Sequence, residues 1–540
     1  MDPVIIVGAG PVGLALALGL ARHLVPSVVL DSGDGAVVPR AARTCVLRPE
    51  TAALLPPMEG ARWHGWRTQR RHQLLQRVEL DDETSPFHVT QHELARGLRA
   101  ALADEKLVRL IPHSHLDELE QDPGGVSAHT RGTKGTWWRG SYLVGCDGAR
   151  STVRKLLKIR FAGRTAVERH AVATLRTRLP WPDDALLHRD PGGRGAGEVT
   201  ARPLPHGAWR LDWLLPPRGE QVTPEQLRER VHATLKGWYQ AGGDGSAPPS
   251  YEILDTGVHL THQRLARHWR RGRAFLAGDA AHLVGALGLQ SADEGLQDAA
   301  NLAWKLSLAW HHGHETAAGT LLDSYEAERR TALGTRLRAV DQAMPLVRRG
   351  GGVRSLLPGG GARAPLVLLT DGHLGRGLLG APPAYVRSPL APARGEVVTA
   401  PVGTAPGAAV HDVAVIALDG ARCRLRERLG GIGGELLVLL IAPGTGVWDS
   451  RHWLSAGLMP TLAAAVETLP LRTELLVAEG YPGAAAHTVL VIRPDGRLVA
   501  SLPGLRPKEL RLCAESVLGR GVRQQGQDPP SRSARQTPRS

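Results

Sequence analysis

The N-terminal residues constrain the fold more than any other part of the chain. Four apolar residues, Val4–Val7, run into the turn Gly8-Ala9-Gly10-Pro11-Val12-Gly13, and a Leu- and Ala-rich helical pattern follows. The glycines of such a turn permit tight geometry, close approach of the backbone to a pyrophosphate, and close packing of helix on strand. Asp31 ends the next apolar run, at the spacing of a carboxylate that binds a ribose. The sequence therefore predicts an α/β dinucleotide-binding domain and does not decide between FAD and NAD.

Two later motifs also place an aspartate directly after an apolar strand. Val144-Gly145-Cys146 leads into Asp147-Gly148-Ala149-Arg150-Ser151-Thr152-Val153-Arg154, which has the form DGxxSxVR. Phe275-Leu276-Ala277 leads into Gly278-Asp279, where a turn of small residues leaves the carboxylate open to the hydroxyl groups of a polyol. Each motif is weak evidence when taken alone, and the order and spacing of all three are much stronger evidence.

The three motifs together resemble the single-component flavoprotein aromatic hydroxylases, the para-hydroxybenzoate hydroxylase-like family, over residues 3–345. This resemblance implies FAD as the cofactor, with Asp279 at its ribityl chain. It places Asp147 and Gly148 near the pyrophosphate, in a motif that also bears on NAD(P)H. Arg43, in Ala42–Leu47, and Gln91, in Val89–Leu94, match two further cofactor contacts of the family. From composition alone, Arg43 would be interpreted as a surface arginine and Gln91 as a helix cap.

The segment after Asp279 departs from the family pattern. Gly285-Ala286 stands where family members commonly carry a proline pair, and Asp293 stands where they carry an asparagine. The resemblance implies that this loop covers the reactive edge of the flavin, with Gly288, Gln290 and Ser291 as cofactor contacts. A helix that begins near Glu294 would direct its positive dipole toward reduced flavin. Asp293 and Glu294 also suit helix caps, and both interpretations can hold together.

Residues 165–260 alternate short β-prone pieces with Pro/Gly turns, which indicates a sheet-rich, more antiparallel region. This region resembles the family's substrate domain. In an extended strand, Trp209 and Trp213 share one face and Arg210 and Asp212 share the other. The tryptophans either line an aromatic pocket or pack in the core, and core packing is favoured. No general base is identified among the 23 histidines, and His282 is expected to be structural.

Residues 395–520 form a separate α/β pattern that resembles the thioredoxin-like domain of phenol and polyketide hydroxylases. The resemblance rests on Gly403-Thr404-Ala405-Pro406-Gly407 and Ile492-Arg493-Pro494-Asp495-Gly496. The four cysteines form no CxxC pair, so neither dithiol chemistry nor a metal site is expected. The expected organisation is a discontinuous FAD-binding domain (1–65, 88–160 and 262–345), a substrate-binding domain (66–87 and 161–261), a connection (346–394), the thioredoxin-like domain (395–520) and a disordered tail (521–540).

Charge and hydropathy argue against several classes of protein. The net charge is +14, yet no lysine-rich run or aromatic-basic interleaving predicts a nucleic-acid interface. Apolar runs such as Leu436–Pro443 are too short to cross a bilayer, and the N-terminus has no secretory signal pattern. The sequence predicts a cytoplasmic protein, monomeric or homodimeric, with no nucleic-acid or membrane partner.

The resemblance implies an α/β monooxygenase whose Rossmann-like FAD-binding domain is joined to a β-rich substrate domain. NAD(P)H would reduce the flavin, and O2 would form a flavin C4a-hydroperoxide that hydroxylates an aromatic or polyketide-like substrate. Fold does not settle reaction, so related flavin chemistry remains open: Baeyer–Villiger oxygenation, dehydrogenation or reduction. A non-catalytic, flavin-bound scaffold is a further alternative.

Overall fold

The structure, a computed structural model, describes residues 1–36, 39–131, 135–191, 197–216, 222–241, 250–285, 291–313, 316–348, 363–430, 436–444 and 457–520. Two of the predicted cofactor contacts, Gly288 and Gln290, lie outside the described residues. The expected tail, 521–540, lies outside them as well.

The first glycine motif opens a six-stranded sheet in which all strands but one edge strand run parallel. Four of its strands, Val4–Val7, Ser27–Leu30, Tyr142–Gly145 and Ala274–Leu276, are buried on both faces, as expected where helices cover a parallel sheet. In spatial order the strands are β18 (Arg270–Arg271), β19 (Ala274–Leu276), β12 (Tyr142–Gly145), β1 (Val4–Val7), β2 (Ser27–Leu30) and β8 (Val108–Ile111).

Twelve α-helices lie within the described residues, and three of them, Pro11–Arg22, Gln91–Leu102 and Ser291–His311, pack together beside this sheet. The helices are α1 (Pro11–Arg22), α2 (Pro49–Ala52), α3 (Gln91–Leu102), α4 (Thr152–Leu156), α5 (Pro224–Ala241), α6 (Ser291–His311), α7 (Thr316–Tyr325), α8 (Thr331–Arg348), α9 (Arg363–His373), α10 (Gly377–Gly380), α11 (Met459–Glu467) and α12 (Pro507–Val517). No helix within the described residues combines the length and apolar character that a membrane crossing requires.

Two three-stranded sheets flank the first one. In one of them, Asp122 and Gly125 face each other at the end of an antiparallel hairpin. The first of these sheets contains β9 (His115–Asp122), β10 (Gly125–Arg131) and β11 (Thr136–Gly140), and the second contains β3 (Thr44–Leu47), β7 (Phe87–Thr90) and β4 (Ala61–Arg62).

An eight-stranded sheet forms the sheet-rich middle region that the sequence predicts. Helix α5 covers one face, where Trp209 and Trp213 pack with Trp238 in a buried core. In spatial order its strands are β20 (His282–Leu283), β17 (Glu252–Ala266), β13 (Phe161–Arg176), β16 (Ala208–Leu215), β15 (Glu198–Pro203), β14 (Asp184–Arg189), β5 (Gly65–Arg70) and β6 (Gln73–Glu79). The opposite face of the eight-stranded sheet is therefore free to contact the rest of the protein.

The segment expected as a connection, 346–394, contains helices α9 and α10 among its described residues. Leu369, Leu374 and Leu379 of this segment are buried against Trp63 and Trp66. The described part of this segment therefore packs on the sheet-rich region through buried leucines, although its composition is rich in Gly and Pro.

The C-terminal residues form a second six-stranded sheet of mixed direction. One of its strands, Arg422–Arg424, has only three residues. The spatial order is β22 (Arg422–Arg424), β21 (Ala414–Ala417), β24 (Thr473–Ala478), β23 (Leu436–Ile441), β25 (Thr488–Ile492) and β26 (Leu498–Pro503).

A buried ionic cluster joins this C-terminal unit to α6. Arg493 donates to both carboxylate oxygens of Glu328, at 2.6 and 3.0 Å, and Lys305 donates to the same carboxylate at 2.7 Å. Asn301 of α6 donates to Asp495 at 3.0 Å. The Arg-Pro-Asp-Gly turn therefore docks the C-terminal unit as well as connecting two strands.

Candidate cofactor site and adjoining cavity

The three glycines of the first turn have different structural roles. Gly8 has a φ of +108°, and a Cβ there would lie 2.5 Å from the carbonyl oxygen of Cys146. A Cβ on Gly13 would lie 2.0 Å from the carbonyl oxygen of Gly8. A Cβ on Gly10 would meet no atom within 4 Å. Gly8 and Gly13 thus serve packing, whereas Gly10 leaves open space at the N-terminus of α1, where Pro11 and Val12 begin the helix.

Asp31 lies beside this turn, directly after β2. Its Oδ2 accepts a hydrogen bond from the Ala9 N–H at 2.6 Å, and its Oδ1 accepts one from the Gly33 N–H at 2.8 Å. These bonds fix the carboxylate next to the glycine turn. That position agrees with the predicted contact to an adenosine ribose.

The middle motif forms a turn that begins helix α4. Asp147 Oδ2 accepts hydrogen bonds from the N–H groups of Thr152 and Val153, at 2.6 and 3.0 Å. Asp147 Oδ1 is buried and has no hydrogen-bond partner among the described residues. A Cβ on Gly148, whose φ is +77°, would meet no atom within 4 Å. A buried oxygen without a donor and an open glycine fit a motif completed by a bound ligand.

Asp298 holds the Gly278-Asp279 turn in place through hydrogen bonds. One oxygen of Asp298 accepts hydrogen bonds from the Gly278 N–H at 3.0 Å and from His282 Nε2 at 2.6 Å. Arg329 donates to the other oxygen at 2.8 Å. His282 is fully buried and stacks on Trp269, so it has the structural role that the sequence predicts.

Asp279 itself lines a cavity and accepts no hydrogen bond from the described residues. Burial raises the pKa of its carboxyl group. A ligand hydroxyl that donates to this carboxylate would relieve the desolvation, which fits the predicted contact with the ribityl chain.

Arg43 and Gln91 lie side by side, because the Gln91 N–H donates to the Arg43 carbonyl oxygen at 2.9 Å. Gln91 begins α3 and lines the same cavity as Asp279, and the Arg43 side chain is exposed. Thr90 provides the cap of α3 by accepting from the Glu93 N–H, so Gln91 is not the capping residue. Gln91 therefore meets the cavity, whereas the Arg43 side chain faces solvent.

The start of α6 contains a buried cluster that sequence reasoning did not identify. Arg48 pairs with Asp293 at 2.6 Å and with Glu294 at 2.9 Å, and Arg329 pairs with Glu294 at 2.8 Å. Arg336 also pairs with Glu294. The two carboxylates therefore bind arginines from three other segments, which holds the first turn of α6 in place.

Ser291, the first residue of α6, ties the helix to the segment after Asp279. Its hydroxyl accepts from the Val284 N–H at 3.1 Å and donates to the Val284 carbonyl oxygen at 3.0 Å. Ser291 lines the cavity together with Gly285. The remainder of this loop, 286–290, lies outside the described residues, and so does the residue Ala286 of the family departure.

A cavity of about 340 Å³ separates these motifs from the eight-stranded sheet. The cofactor side supplies Gln91, Ala149, Asp279 and Ser291. The sheet supplies mostly polar side chains from four neighbouring strands, including Glu168, His170, Glu198, Thr200, Arg202, Arg210, Asp212 and His259. One continuous space thus joins the predicted flavin position to the predicted substrate domain.

The two tryptophans considered as substrate contacts do not line this cavity. Trp209 and Trp213 are buried on the opposite face of β16, where Trp213 donates to Thr234 of α5 at 3.0 Å. The pairing of Trp209 with Trp213 on one face is confirmed, and the face that meets the cavity is the other one. Arg210 and Asp212 are the cavity residues of this strand.

Arg210 connects the cavity to the Arg43 segment. It donates to the Ala42 carbonyl oxygen at 2.8 Å and to Thr44 Oγ1 at 3.0 Å, and it pairs with Asp212 at 2.7 Å. Arg202 pairs with Asp212 at 3.0 Å. Burial acts to raise the pKa of the Asp212 carboxyl group. The two arginines nevertheless hold this pKa well below its usual range.

The fold and the site together define a protein of the dinucleotide-binding class, with a sheet-rich region across a cavity from Asp279. The chain belongs to the FAD binding domain family, whose pattern matches residues 1–339.

Several characterised proteins are similar to this chain. It is 30% identical to 12-dehydrotetracycline 5-monooxygenase/anhydrotetracycline 6-monooxygenase of Streptomyces rimosus, over 91% of this chain and 94% of that protein. It is also 30% identical to 3-(3-hydroxy-phenyl)propionate/3-hydroxycinnamic acid hydroxylase of Paraburkholderia xenovorans, over 61% of this chain and 52% of that protein. The chain thus spans about half the length of that hydroxylase.

Two solved structures show the same fold over nearly the whole chain. The flavin-dependent monooxygenase PieE, in complex with FAD and substrate, matches with a TM-score of 0.69 at 20% identity, over 96% of this chain and 99% of that one. Aklavinone-11 hydroxylase, in a ternary complex with FAD and aklavinone, matches with a TM-score of 0.69 at 21% identity, over 96% and 99% of the two chains.

Replacing Asp279 with alanine is expected to weaken FAD binding by about 10- to 150-fold. The estimate corresponds to about 1.5–3 kcal/mol for a hydrogen bond to a charged acceptor. Fluorescence titration of apoprotein with FAD measures the change. Asp104→Ala, at an exposed position, is the matched control and should bind FAD as the wild type does. Equal affinity in the two variants would show that Asp279 does not contact the cofactor.

Proposed function

We propose that this protein is an FAD-dependent monooxygenase that uses NAD(P)H and O2 to hydroxylate an aromatic or polyketide-like substrate. The observation that carries the proposal is the continuous cavity between Asp279 and the polar face of the eight-stranded sheet. In a member of an FAD-binding family, that arrangement allows a substrate to lie against the reactive part of the cofactor. The monooxygenase that is similar over most of this chain supports the same reaction class.

The residues present fit FAD along its length. The open space at Gly10 and the start of α1 suit the pyrophosphate, and Asp31 suits the adenosine ribose. Asp279 would hold the ribityl chain, with Arg43, Gln91, Asp147 and Gly148 as neighbouring contacts. Pro11, Val12, Gly278 and Ser291 shape the same site, and Gly288 and Gln290 remain proposed contacts of the loop. Bound FAD would store electrons from NAD(P)H and supply the chemistry that activates O2.

The chain's own contribution is to place the substrate and to limit water. Arg202, Arg210 and Asp212 form a buried charged group that can orient a polar substituent on a ring. Closure of the cavity between sheet and cofactor motifs would keep water from the reacting atoms. Ser291 and the Arg48–Asp293 pair hold the α6 N-terminus, whose positive dipole would stabilise charge that develops on the cofactor.

We propose the same domain limits that the sequence predicts, with α9 and α10 assigned to the sheet-rich region. We also propose that residues 395–520 form a thioredoxin-like domain without thiol chemistry. A central parallel pair, β23 and β24, flanked by antiparallel strands supports this. Cys513 is buried and Cys423 lies on β22 of the same unit, and neither has a cysteine neighbour in sequence. Its role would be structural, in a cytoplasmic monomer or homodimer.

The proposed function predicts that substrate controls reduction of the flavin. Anaerobic mixing of the FAD-bound protein with NADPH, with and without a panel of phenols and polycyclic polyketides, should show faster bleaching of flavin absorbance with a substrate that fits. At least one compound should accelerate reduction by tenfold or more. Reduction that no compound accelerates, or that NAD(P)H does not produce at all, would favour the scaffold alternative.

A further inference from the structure

The first turn of α6 packs directly on the turns to which the cofactor is assigned. A Cβ on Gly295 of α6 would lie 2.6 Å from the side chain of Val12 and 3.1 Å from the Cα of Gly278. Ser291, the first residue of the helix, lines the cavity together with Asp279. A charge that is fixed in this turn therefore interacts at short range with a group bound at these turns.

This turn carries two acidic side chains that are buried beside an arginine. Arg48 lies 2.6 Å from Asp293 and 2.9 Å from Glu294. Arg48 and Asp293 are each 6% exposed, and Glu294 is 1% exposed. The charged side chains that surround these three are Glu50, Asp298, Arg329 and Arg336. Water screens such a cluster poorly, so the loss of one charge leaves its partner acting on the surroundings.

The two acidic residues differ in their counter-charges. Glu294 pairs with three arginines, because Arg329 and Arg336 contact it as well as Arg48. Among the described residues, Asp293 forms an ion pair with Arg48 alone, and it also accepts a hydrogen bond from the Arg48 N–H at 2.9 Å. Loss of the Arg48 side chain would therefore leave an unpaired negative charge at the start of α6, where it offsets the positive end of the helix dipole.

We propose that Arg48 is a positioning residue that acts through Asp293, and that the balance of these two charges sets the midpoint potential of the bound flavin. Reduction of FAD by two electrons and one proton leaves one negative charge on the ring. A negative charge left at Asp293 disfavours the reduced form, and a positive charge left at Arg48 favours it. This inference rests on the proposed function, because it requires FAD to lie at these turns.

The midpoint potential of FAD-bound variants tests the proposal. Each protein is reduced anaerobically with xanthine and xanthine oxidase beside a dye of known potential, and the absorbance of flavin and dye is read at equilibrium. Arg48→Met should lower the affinity for reduced relative to oxidised FAD by about tenfold, and Asp293→Asn should raise it by about tenfold. For a two-electron couple these changes are shifts of about 30 mV, down and up. The double variant should return close to the wild-type potential, because neither charge remains.

Opposite shifts that cancel in the double variant separate an effect of charge from a loss of structure. Arg48→Lys keeps the charge and should therefore keep the wild-type potential. Arg511→Met, which removes an arginine that is 63% exposed, is the control and should match the wild type. Asp293→Asn preserves the size of the side chain, so this variant decides the question if Arg48→Met does not fold.

The proposal would be overturned by a wild-type potential in Asp293→Asn or by shifts of the same sign in Arg48→Met and Asp293→Asn. The measurement uses neither NADPH nor O2, so a failure here is distinct from a failure of NADPH-dependent flavin reduction. A wild type that binds no FAD would contradict the proposed function and this inference together.

Discussion

Gly13→Ala is expected to destabilise the apoprotein by about 3 kcal/mol and to abolish FAD binding. A Cβ at this position would lie 2.0 Å from the Gly8 carbonyl oxygen, and that atom belongs to backbone that cannot move aside cheaply. Relief of the clash requires α1 to shift away from the glycine turn, at the upper end of the usual cost of overpacking. Urea denaturation of the apoprotein and titration with FAD measure the two effects.

Gly10→Ala is the matched control for this prediction. Gly10 has a φ of −74°, which alanine adopts without strain, and an added Cβ would meet no protein atom within 4 Å. The apoprotein should therefore keep its stability within about 1 kcal/mol. FAD affinity should nevertheless fall by tenfold or more, because the methyl group fills the space assigned to the pyrophosphate. If both variants bound FAD normally, the cofactor would not lie at this turn.

Arg493→Met is expected to lower the free energy of unfolding by about 3–5 kcal/mol. Among the described residues, the substitution leaves Lys305 as the cation paired with the fully buried Glu328. It removes two hydrogen bonds to Glu328, of 2.6 and 3.0 Å, and two to Asp495, of 2.5 and 2.9 Å. Breaking one partner of a buried ionic group is costly, since the other charge stays in a medium that solvates it poorly. The same change weakens the contact of the C-terminal unit with the rest of the chain, so flavin retention should also weaken.

Arg511→Met removes an arginine of the same unit from an exposed pair with Glu515, at 2.9 Å. That pair should contribute less than about 1 kcal/mol, because solvent screens it. Denaturation curves of the two variants compare a buried ion pair with an exposed one. A change of less than about 1 kcal/mol in Arg493→Met would contradict the importance of the buried cluster.

Local patterns in the sequence predicted three turns that the structure contains. The first turn, the Asp147 turn and the Asp279 turn each depend on residues within about ten positions of one another. Each turn can therefore be recognised from the sequence alone. The structure brings the three turns together because β1, β12 and β19 are neighbouring parallel strands, and Gln91 and Asp279 line one cavity. The FAD binding domain family covers the same residues.

Contacts between segments that are distant in sequence could not be predicted from local patterns. Arg48 binds Asp293, 245 positions away, and no local pattern pairs these two residues. The orientation of β16 was also undetermined, because nearly all of its residues are buried and both faces carry large side chains. Only the placement of α5 shows that Trp209 and Trp213 belong to the core and Arg210 to the cavity.

The most direct test of the proposed function is the fate of isotopically labelled dioxygen. The FAD-bound protein is turned over with NADPH and labelled O2, together with a phenolic or polyketide compound that accelerates flavin reduction, and the product is analysed by mass spectrometry. A monooxygenase places one labelled atom in the organic product and the other in water. Label that appears only in water or hydrogen peroxide, across every compound that accelerates reduction, would contradict the account and indicate an oxidase or dehydrogenase.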